Sequence, residues 1–104
     1  MPKPDLKISI KQTKETVTVA LIGEARMDLE QADAHIEKIL SYKPKIVIIS
    51  AGKLTFISST GIYFLINLRK AIHAKKGTVQ LTGLQPNVKK ALVLANVLKL
   101  FEVT

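Results

Sequence analysis

The chain has 104 residues, which is enough for one packed domain and too short for two. Hydrophobic residues make up 47% of it, so a core can form, and the lack of cysteine excludes disulfides and thiolate metal clusters. The net charge of +8 is unevenly distributed. Residues 1–41 hold six basic and seven acidic residues, whereas residues 42–104 hold ten basic residues and one acid, Glu102. The basic second half suits either an anionic partner or a solvated lysine surface.

The first residues carry no sign of a targeting segment. Met1–Asp5 is polar, and no apolar stretch of the kind found in secretory signals follows it. The apolar runs are far shorter than the roughly 18 residues that indicate a membrane span. We therefore expect a cytoplasmic protein that forms a single domain over residues 1–104.

Two strands and a helix are predicted in the first part of the chain. Leu6–Lys11 alternates apolar and polar residues as a half-buried strand does, and Val17–Ile22 is a second strand in a hairpin with it. Asp28, with Gln31 three residues later, fits a capping box that opens a helix. Lys43-Pro44 ends this helix, along which apolar residues recur at helical spacing: Leu29, Ala32, Ile36, Ile39 and Leu40.

The second half alternates strands and helices. Ile46–Ile49 is an apolar run typical of a strand covered on both faces, and a helix from Ser58 or Ser59 to Lys76 follows, ended by Gly77. A strand over Val79–Leu81 comes next. The remaining elements are a third helix from Pro86, carrying Val88, Ala91, Leu92, Ala95 and Leu98, and a tail, Leu100–Val103, read as a short strand or a docked extension.

The predicted order is therefore β-β-α-β-α-β-α. Strands separated by helices pair in parallel through right-handed crossovers, and the opening hairpin adds an antiparallel edge. The sequence thus predicts an α/β domain with a mixed, mostly parallel sheet and helices packed against it.

Three hydroxyl residues stand at the start of the second helix. Ser58, Ser59 and Thr60 precede Gly61 where the first backbone N–H groups of a helix lack intrahelical acceptors. One of them is sufficient as an N-cap, so the purely structural interpretation leaves two unexplained.

The same helix is apolar on more than one side. At about 100° per residue the expected core stripe comprises Ile62, Leu65, Ile66 and Ile72, and the opposite side comprises Tyr63, Phe64, Asn67 and Ala71. Tyr63 and Phe64 are predicted to be an exposed aromatic pair beside the helix start, which indicates a contact surface. The alternative is that a neighbouring element covers them.

The strand followed by Leu54-Thr-Phe-Ile-Ser-Ser-Thr-Gly61 resembles the signature of the STAS family, which includes anti-sigma factor antagonists. Gly77–Gly83 resembles the next strand of that family, and Val88 through Phe101 resembles its last helix and tail. The resemblance covers Leu6 to Val103 and implies a single STAS-like domain.

The resemblance also implies a regulated phosphoacceptor, which by position is Ser59, with Ser58 and Thr60 as alternatives. Unphosphorylated, such a protein binds an anti-sigma factor or serine-protein kinase and frees a sigma factor; phosphorylated, it releases that partner. A phosphatase is a further candidate partner. The residues expected to contact the partner are Ser58, Thr60, Gly61, Ile62, Tyr63, Phe64 and Asn67.

Two positions depart from the family signature, and both departures remove an acid. Ser50 stands where the strand typically ends in Asp, and Ser58 stands where Asp precedes the phosphoserine. A non-switching STAS scaffold or transporter-associated subunit is therefore an alternative. A binder of nucleotide or another anionic ligand through the basic half is a third.

Catalytic motifs are absent from the sequence. His35 and His73 lie on predicted helices without nucleophile or metal-ligand spacing and are expected at the surface. We therefore predict a regulatory protein that is not an enzyme and uses no cofactor or metal. Neither a nucleic acid nor a membrane is expected as a partner, and the oligomeric state is left open.

Overall fold

The computed structural model describes residues 6–104, and the Met1–Asp5 segment considered above lies outside them. The predicted order of elements is confirmed, and the tail adds a fifth strand. The elements are β1 (Lys7–Thr13), β2 (Thr16–Ala25), α1 (Leu29–Leu40), β3 (Ile46–Ile57), α2 (Ser59–Ala74), β4 (Thr78–Thr82), α3 (Pro86–Leu94), a 3-10 turn (Leu98–Leu100) and β5 (Glu102–Val103).

The five strands lie in the sheet in chain order, β1-β2-β3-β4-β5. β1 is antiparallel to β2, and every later neighbouring pair is parallel. Each parallel connection therefore steps one strand in the same direction. Because such crossovers are right-handed, all three helices lie on the same face of the sheet.

Burial of the central strands shows this one-sided arrangement. Val47 and Ile49 of β3 are fully buried beneath the helices, whereas Ile46 is 36% exposed and Ile48 is half-buried on the other face. The prediction that Ile46–Ile49 is covered on both faces was therefore wrong. The continuous apolar run arises because Ile46 and Ile48 form an apolar patch on the face of the sheet that no helix covers.

β3 is also much longer than predicted, because the residues after Ile49 continue the strand to Ile57. Its register against β2 shifts twice, between Ala20 and Ile22 and again between Gly23 and Glu24. Each shift is a bulge that inserts an extra residue in β3 and breaks the alternation of side chains. The alternation by which a strand is recognised is lost there.

Two helix ends differ from their predicted positions. Lys76, with a φ of 62°, takes the left-handed position after α2, and the Gly77 N–H donates to the Ile72 carbonyl at 2.9 Å. α3 ends at Leu94, so Leu98 belongs to the 3-10 turn and not to the helix. Between residues 6 and 104, no helix combines the length and apolarity needed to span a membrane.

Candidate functional site

Ser58 fastens the start of α2 to the end of β2. Its hydroxyl accepts a hydrogen bond from the Gly61 N–H at 3.1 Å, which makes it the N-cap, and donates to the Ala25 carbonyl at 2.9 Å. Its backbone N–H donates to the same carbonyl at 3.1 Å. Ser58 is half-buried, and its hydroxyl is committed to structure.

The other two hydroxyls of the motif differ in availability. Thr60 is half-buried, and its hydroxyl lies 2.9 Å from that of Ser58 in a shared hydrogen bond. Ser59, the first residue of α2, is exposed, and its hydroxyl has no hydrogen-bond partner among residues 6–104. Of the three, Ser59 is the hydroxyl that a partner or a modifying enzyme can reach.

Gly61 allows α2 to approach the sheet closely. A Cβ atom at this position would lie 2.7 Å from Cγ1 of Ile57 and 2.8 Å from the carbonyl oxygen of Ala25. No side chain fits such contacts without displacing the backbone. The buried Gly61 therefore positions the helix start and does not offer a contact surface of its own.

The start of α2 carries no compensating negative charge. Its first turn contains no acidic residue, and the cap is a neutral serine. The partial positive charge of the helix end is therefore unneutralised locally, and the N–H groups of Ser59 and Thr60 belong to the donors that have no intrahelical acceptor. This arrangement favours an anion at Ser59.

α1 packs against the side of α2 that was predicted to be exposed. Phe64 is only 1% exposed, and its ring meets the half-buried His35 of α1 edge to face, with centroids 6.3 Å apart. The Tyr63 hydroxyl donates to Oδ1 of Asp33 at 3.1 Å. The prediction of an exposed aromatic pair was therefore wrong for Phe64. His35, which was predicted to lie at the surface, is half-buried. His73 is exposed as expected.

These contacts set the protonation of two side chains. Burial, followed by the nearby Lys38, lowers the pKa of His35 below 6.5. The hydrogen bond that Tyr63 donates to Asp33 raises the pKa of its phenol, with smaller contributions from desolvation and from the Asp33 charge. In both cases the folded surroundings favour the neutral form of the side chain.

The buried side of α2 differs in part from the predicted stripe. Leu65 and Ile72 are buried as expected, whereas Ile62 and Ile66 are half-buried. The buried residues of the helix are Gly61, Phe64, Leu65, Leu68 and Ile72. Helical spacing places Ile62 and the half-buried Tyr63, three and four residues on, beside Ser59. The half-buried Asn67 donates its amide to the Tyr63 carbonyl at 2.9 Å.

A cluster beside Ser58 was not foreseen. The Arg26 guanidinium lies 4.2 Å from the centroid of the Phe56 ring, and its Nε donates to Oε1 of Glu24 at 2.9 Å. Ala25 pairs with Ile57, so this cluster borders the start of α2. The bulges of β3 create it by shifting Phe56 opposite Glu24, and the sequence pattern gave no sign of them.

The two positions without the family's acids have different surroundings. Ser58 is the N-cap, a role that Ser and Asp fill equally well, so the helix start is preserved without the charge. Ser50, expected at the end of a strand, lies in the middle of β3 and is paired with Ala20. It lines a hollow of about 340 Å³ with Ile22 and Lys53.

Comparison with known proteins agrees with this architecture. The family model described as the STAS domain matches residues 7–104. The chain belongs to the STAS domain family. No curated protein matches the chain in sequence.

Solved structures share the STAS fold at low sequence identity. An anti-sigma factor antagonist from Mycobacterium paratuberculosis superposes with a TM-score of 0.79 at 17% identity, over 94% of this chain and 84% of that one. The Bacillus cell fate determinant SpoIIAA in the phosphorylated form gives 0.72 at 21%, over 94% and 91%. A sulfate transporter family protein from Wolinella succinogenes gives 0.62 at 18%, over 81% and 75%.

Proposed function

We propose that this STAS domain is a cytoplasmic anti-sigma factor antagonist that acts by binding and not by catalysis, and that phosphorylation of Ser59 switches it. Its partner is an anti-sigma factor with serine-kinase activity, and a phosphatase resets the switch. The observation that carries the proposal is the difference among the three hydroxyls: Ser58 and Thr60 bond to each other, whereas Ser59 is exposed. The similarity to a phosphorylated SpoIIAA supports it.

The surface offered to the partner surrounds Ser59. Ile62 and Tyr63 lie on the same side of α2 and are half-buried, so each presents part of an apolar surface. Thr60 and Asn67 lie within the first nine residues of α2 and are also half-buried. Phe64 belongs to the core and is left out of this surface.

A phosphate on Ser59 changes binding without disrupting the fold. It adds about −1.5 to −2 charge at pH 7, and the unneutralised start of α2 stabilises that charge. In a complex, however, the dianion has to lose its water against a surface shaped for a hydroxyl, and burying an unpaired charge costs several kcal/mol. We expect binding to weaken by at least about a hundredfold.

The first experiment locates the phosphate. The chain is incubated with ATP and with each kinase-type anti-sigma factor encoded in its source genome, and the modified residue is identified by mass spectrometry. The expected result is one phosphate on Ser59, and none after Ser59→Ala. Phosphate on Ser58 or Thr60 in the folded protein would refute the assignment.

The second experiment separates charge from shape. Ser59→Asp and Ser59→Asn have nearly the same size, and only the first carries a charge. Calorimetric titration with the same anti-sigma factor is expected to show binding lost in Ser59→Asp and largely kept in Ser59→Asn. Equal affinities for the two variants would contradict an electrostatic switch.

A second candidate is a STAS subunit that does not switch, and the serines at positions 50 and 58 favour it. Ser50 and Ser58 stand where the family signature typically has Asp, so two acids of the signature around the expected phosphoacceptor are missing. The similarity to a sulfate transporter family protein is consistent with such a role. This candidate predicts a stable complex with its partner and no phosphate on Ser59 after incubation with any of the kinases.

A further inference from the structure

Three loops meet side by side at the end of the sheet opposite Ser59. The Lys45 N–H donates to the Glu15 carbonyl at 2.9 Å, and the Thr78 N–H donates to the Lys45 carbonyl at 2.9 Å. The Gln12 side chain donates to the Tyr42 carbonyl at 2.9 Å, which ties the hairpin turn to the link after α1. The exposed basic residues of these loops form what we call the lysine ledge: Lys14, Lys43, Lys45, Lys75 and Lys76.

Three ledge lysines adopt a backbone conformation that glycine accommodates better. Lys14, Lys43 and Lys76 have φ values of 56°, 52° and 62°. L-residues with a side chain are disfavoured in this left-handed region, whereas glycine is not. Residues that break a local rule are expected where function requires them. The presence of lysine, and not glycine, at all three positions therefore points to a use for their charge.

The positive charge of the lysine ledge exceeds what would neutralise the negative C-terminal ends of the helices there. α1 and α2 both end at this side, and each C-terminus carries about −0.5 of an elementary charge. Five lysines stand against one ledge acid, Glu15, whose carboxylate lies 3.8 Å from Nζ of Lys45. Lys14, in the hairpin turn, serves no helix end. Most of the positive charge is therefore available to an external anion.

We propose that the lysine ledge binds an anionic lipid surface. Protein interfaces are typically anchored by aromatic residues and arginine and are poor in lysine, and nucleic-acid sites that read or stack bases use arginine or aromatic rings. The three loops that carry the ledge contain no arginine, and Tyr42 in the second of them is half-buried. Flexible ammonium groups suit a diffuse layer of lipid phosphates and carboxylates, and the exposed Ile46 beside Lys45 adds an apolar side chain.

The sequence alone predicted no membrane partner, because these lysines are spread over 63 positions, from residue 14 to residue 76. The fold brings them together. β3 runs from the ledge to the start of α2 beside the 10 residues of β2, a length of roughly 30 Å at ~3.3 Å per residue. A chain attached through the ledge therefore presents Ser59 away from the lipid, and the two sites can be tested independently.

The test uses a variant that removes charge and relieves the backbone together. In Lys14→Gly/Lys43→Gly/Lys76→Gly each residue changes to the one that its φ favours, so the melting temperature should not fall below that of the wild type. Binding is measured by sedimentation with phosphatidylcholine vesicles containing roughly one-third phosphatidylserine, and each lysine near such a surface contributes about fivefold. The triple variant should bind about a hundredfold more weakly.

The matched control removes the same number of charges elsewhere. Lys89→Gln/Lys90→Gln/Lys99→Gln lies on α3 and the 3-10 turn and should lose less than about fivefold, because salt screens distant charges. Wild-type binding should also fall steeply at high salt and be absent with pure phosphatidylcholine.

Equal losses in the two triple variants, or no preference for anionic vesicles, would overturn the proposal. Ledge-dependent binding to duplex DNA that is stronger than binding to vesicles would assign the ledge to nucleic acid instead. If the glycine variant melts below the wild type, asparagine at the same positions, which also tolerates φ above zero, takes its place. Unchanged vesicle binding in that variant would equally contradict the proposal.

Discussion

α1 and α2 begin in almost the same way. Their N-caps, Asp28 and Ser58, have φ and ψ of −83° and 173° and of −85° and 173°, and each side chain accepts a hydrogen bond from the N–H three residues on. The start of α1 is completed by two further features: the Asp28 N–H donates to Oε1 of Gln31 at 3.0 Å, and Glu30 adds negative charge. The start of α2 has neither feature.

This difference distinguishes the contacts that a helix start needs in order to form from the charge that it leaves unneutralised. A cap and a close fit are sufficient for α2 to form, since Ser58 and Gly61 join it to β2. Acids in the first turn would stabilise it further, and their absence leaves the helix end able to receive an anion. The start of α1 therefore carries its own negative charge, whereas the first turn of α2 has none.

The largest difference in stability between matched variants of α1 and α2 is expected at the third residue of each helix. Gly61→Ala forces a Cβ atom against Ile57 and the Ala25 carbonyl and should lower the free energy of unfolding by about 3 kcal/mol. Gln31→Ala, at the matching position of α1, removes one exposed hydrogen bond and should cost about 0.5 kcal/mol. Urea denaturation of both variants measures the difference. Equal costs would show that α2 is not fitted closely to the sheet.

Removal of the N-cap side chains should give a smaller difference in stability between the two helices. Ser58→Ala loses the bond to Gly61 and the bond to Ala25, for about 2 kcal/mol in total, whereas Asp28→Ala loses the cap alone, for about 1 kcal/mol. Thermal unfolding of the two variants under identical conditions compares them. A larger loss in Asp28→Ala would mean that the Ser58 hydroxyl does not fasten α2 to β2.

A charge added at the first helical position should stabilise one helix and not the other. Ser59→Asp is expected to raise the free energy of unfolding by about 0.5 kcal/mol, because nothing else there neutralises the helix end. Leu29→Asp, at the exposed matching position of α1, enters a turn that already has Asp28 and Glu30 and should bring no gain. The gain in Ser59→Asp should fade at high salt. A gain in both variants would remove the distinction between the two starts.

The smallest effect is expected in the pH dependence of stability that arises from His35, where α1 packs against α2. The folded protein favours neutral His35, so its pKa is below the unfolded value of about 6.5 and the unfolded chain binds more protons just below that pH. Stability should therefore be fully present above pH 6.5 and decline as the pH falls below it. His35→Gln should flatten this decline, with the exposed His73→Gln as control. The readout is the urea midpoint across that range, and an unchanged slope in His35→Gln would contradict the assignment.

Sequence reasoning succeeded where structure depends on neighbouring residues. The capping box at Asp28 and Gln31 and the hydroxyl start of α2 are local hydrogen-bond patterns. It failed in β3 beyond Ile49, because a bulge is defined by pairing with another strand. It also failed at Phe64, since helical spacing assigns a side of α2 without saying that α1 covers that side. The Arg26–Phe56 contact depends on the same bulges.

The order of elements was determined by the sequence itself, because helix caps, periodicity and crossover handedness are local or topological rules. The STAS signature is also read directly from the sequence, and the prediction of Ser59 as phosphoacceptor followed from its position in that signature. The tertiary structure decided which of the three hydroxyls is exposed and which face of the sheet stays open. It also gathered lysines from three distant loops into one ledge. Exposure and long-range proximity depend on which elements pack together, and that information is not carried by the spacing of residues along the chain.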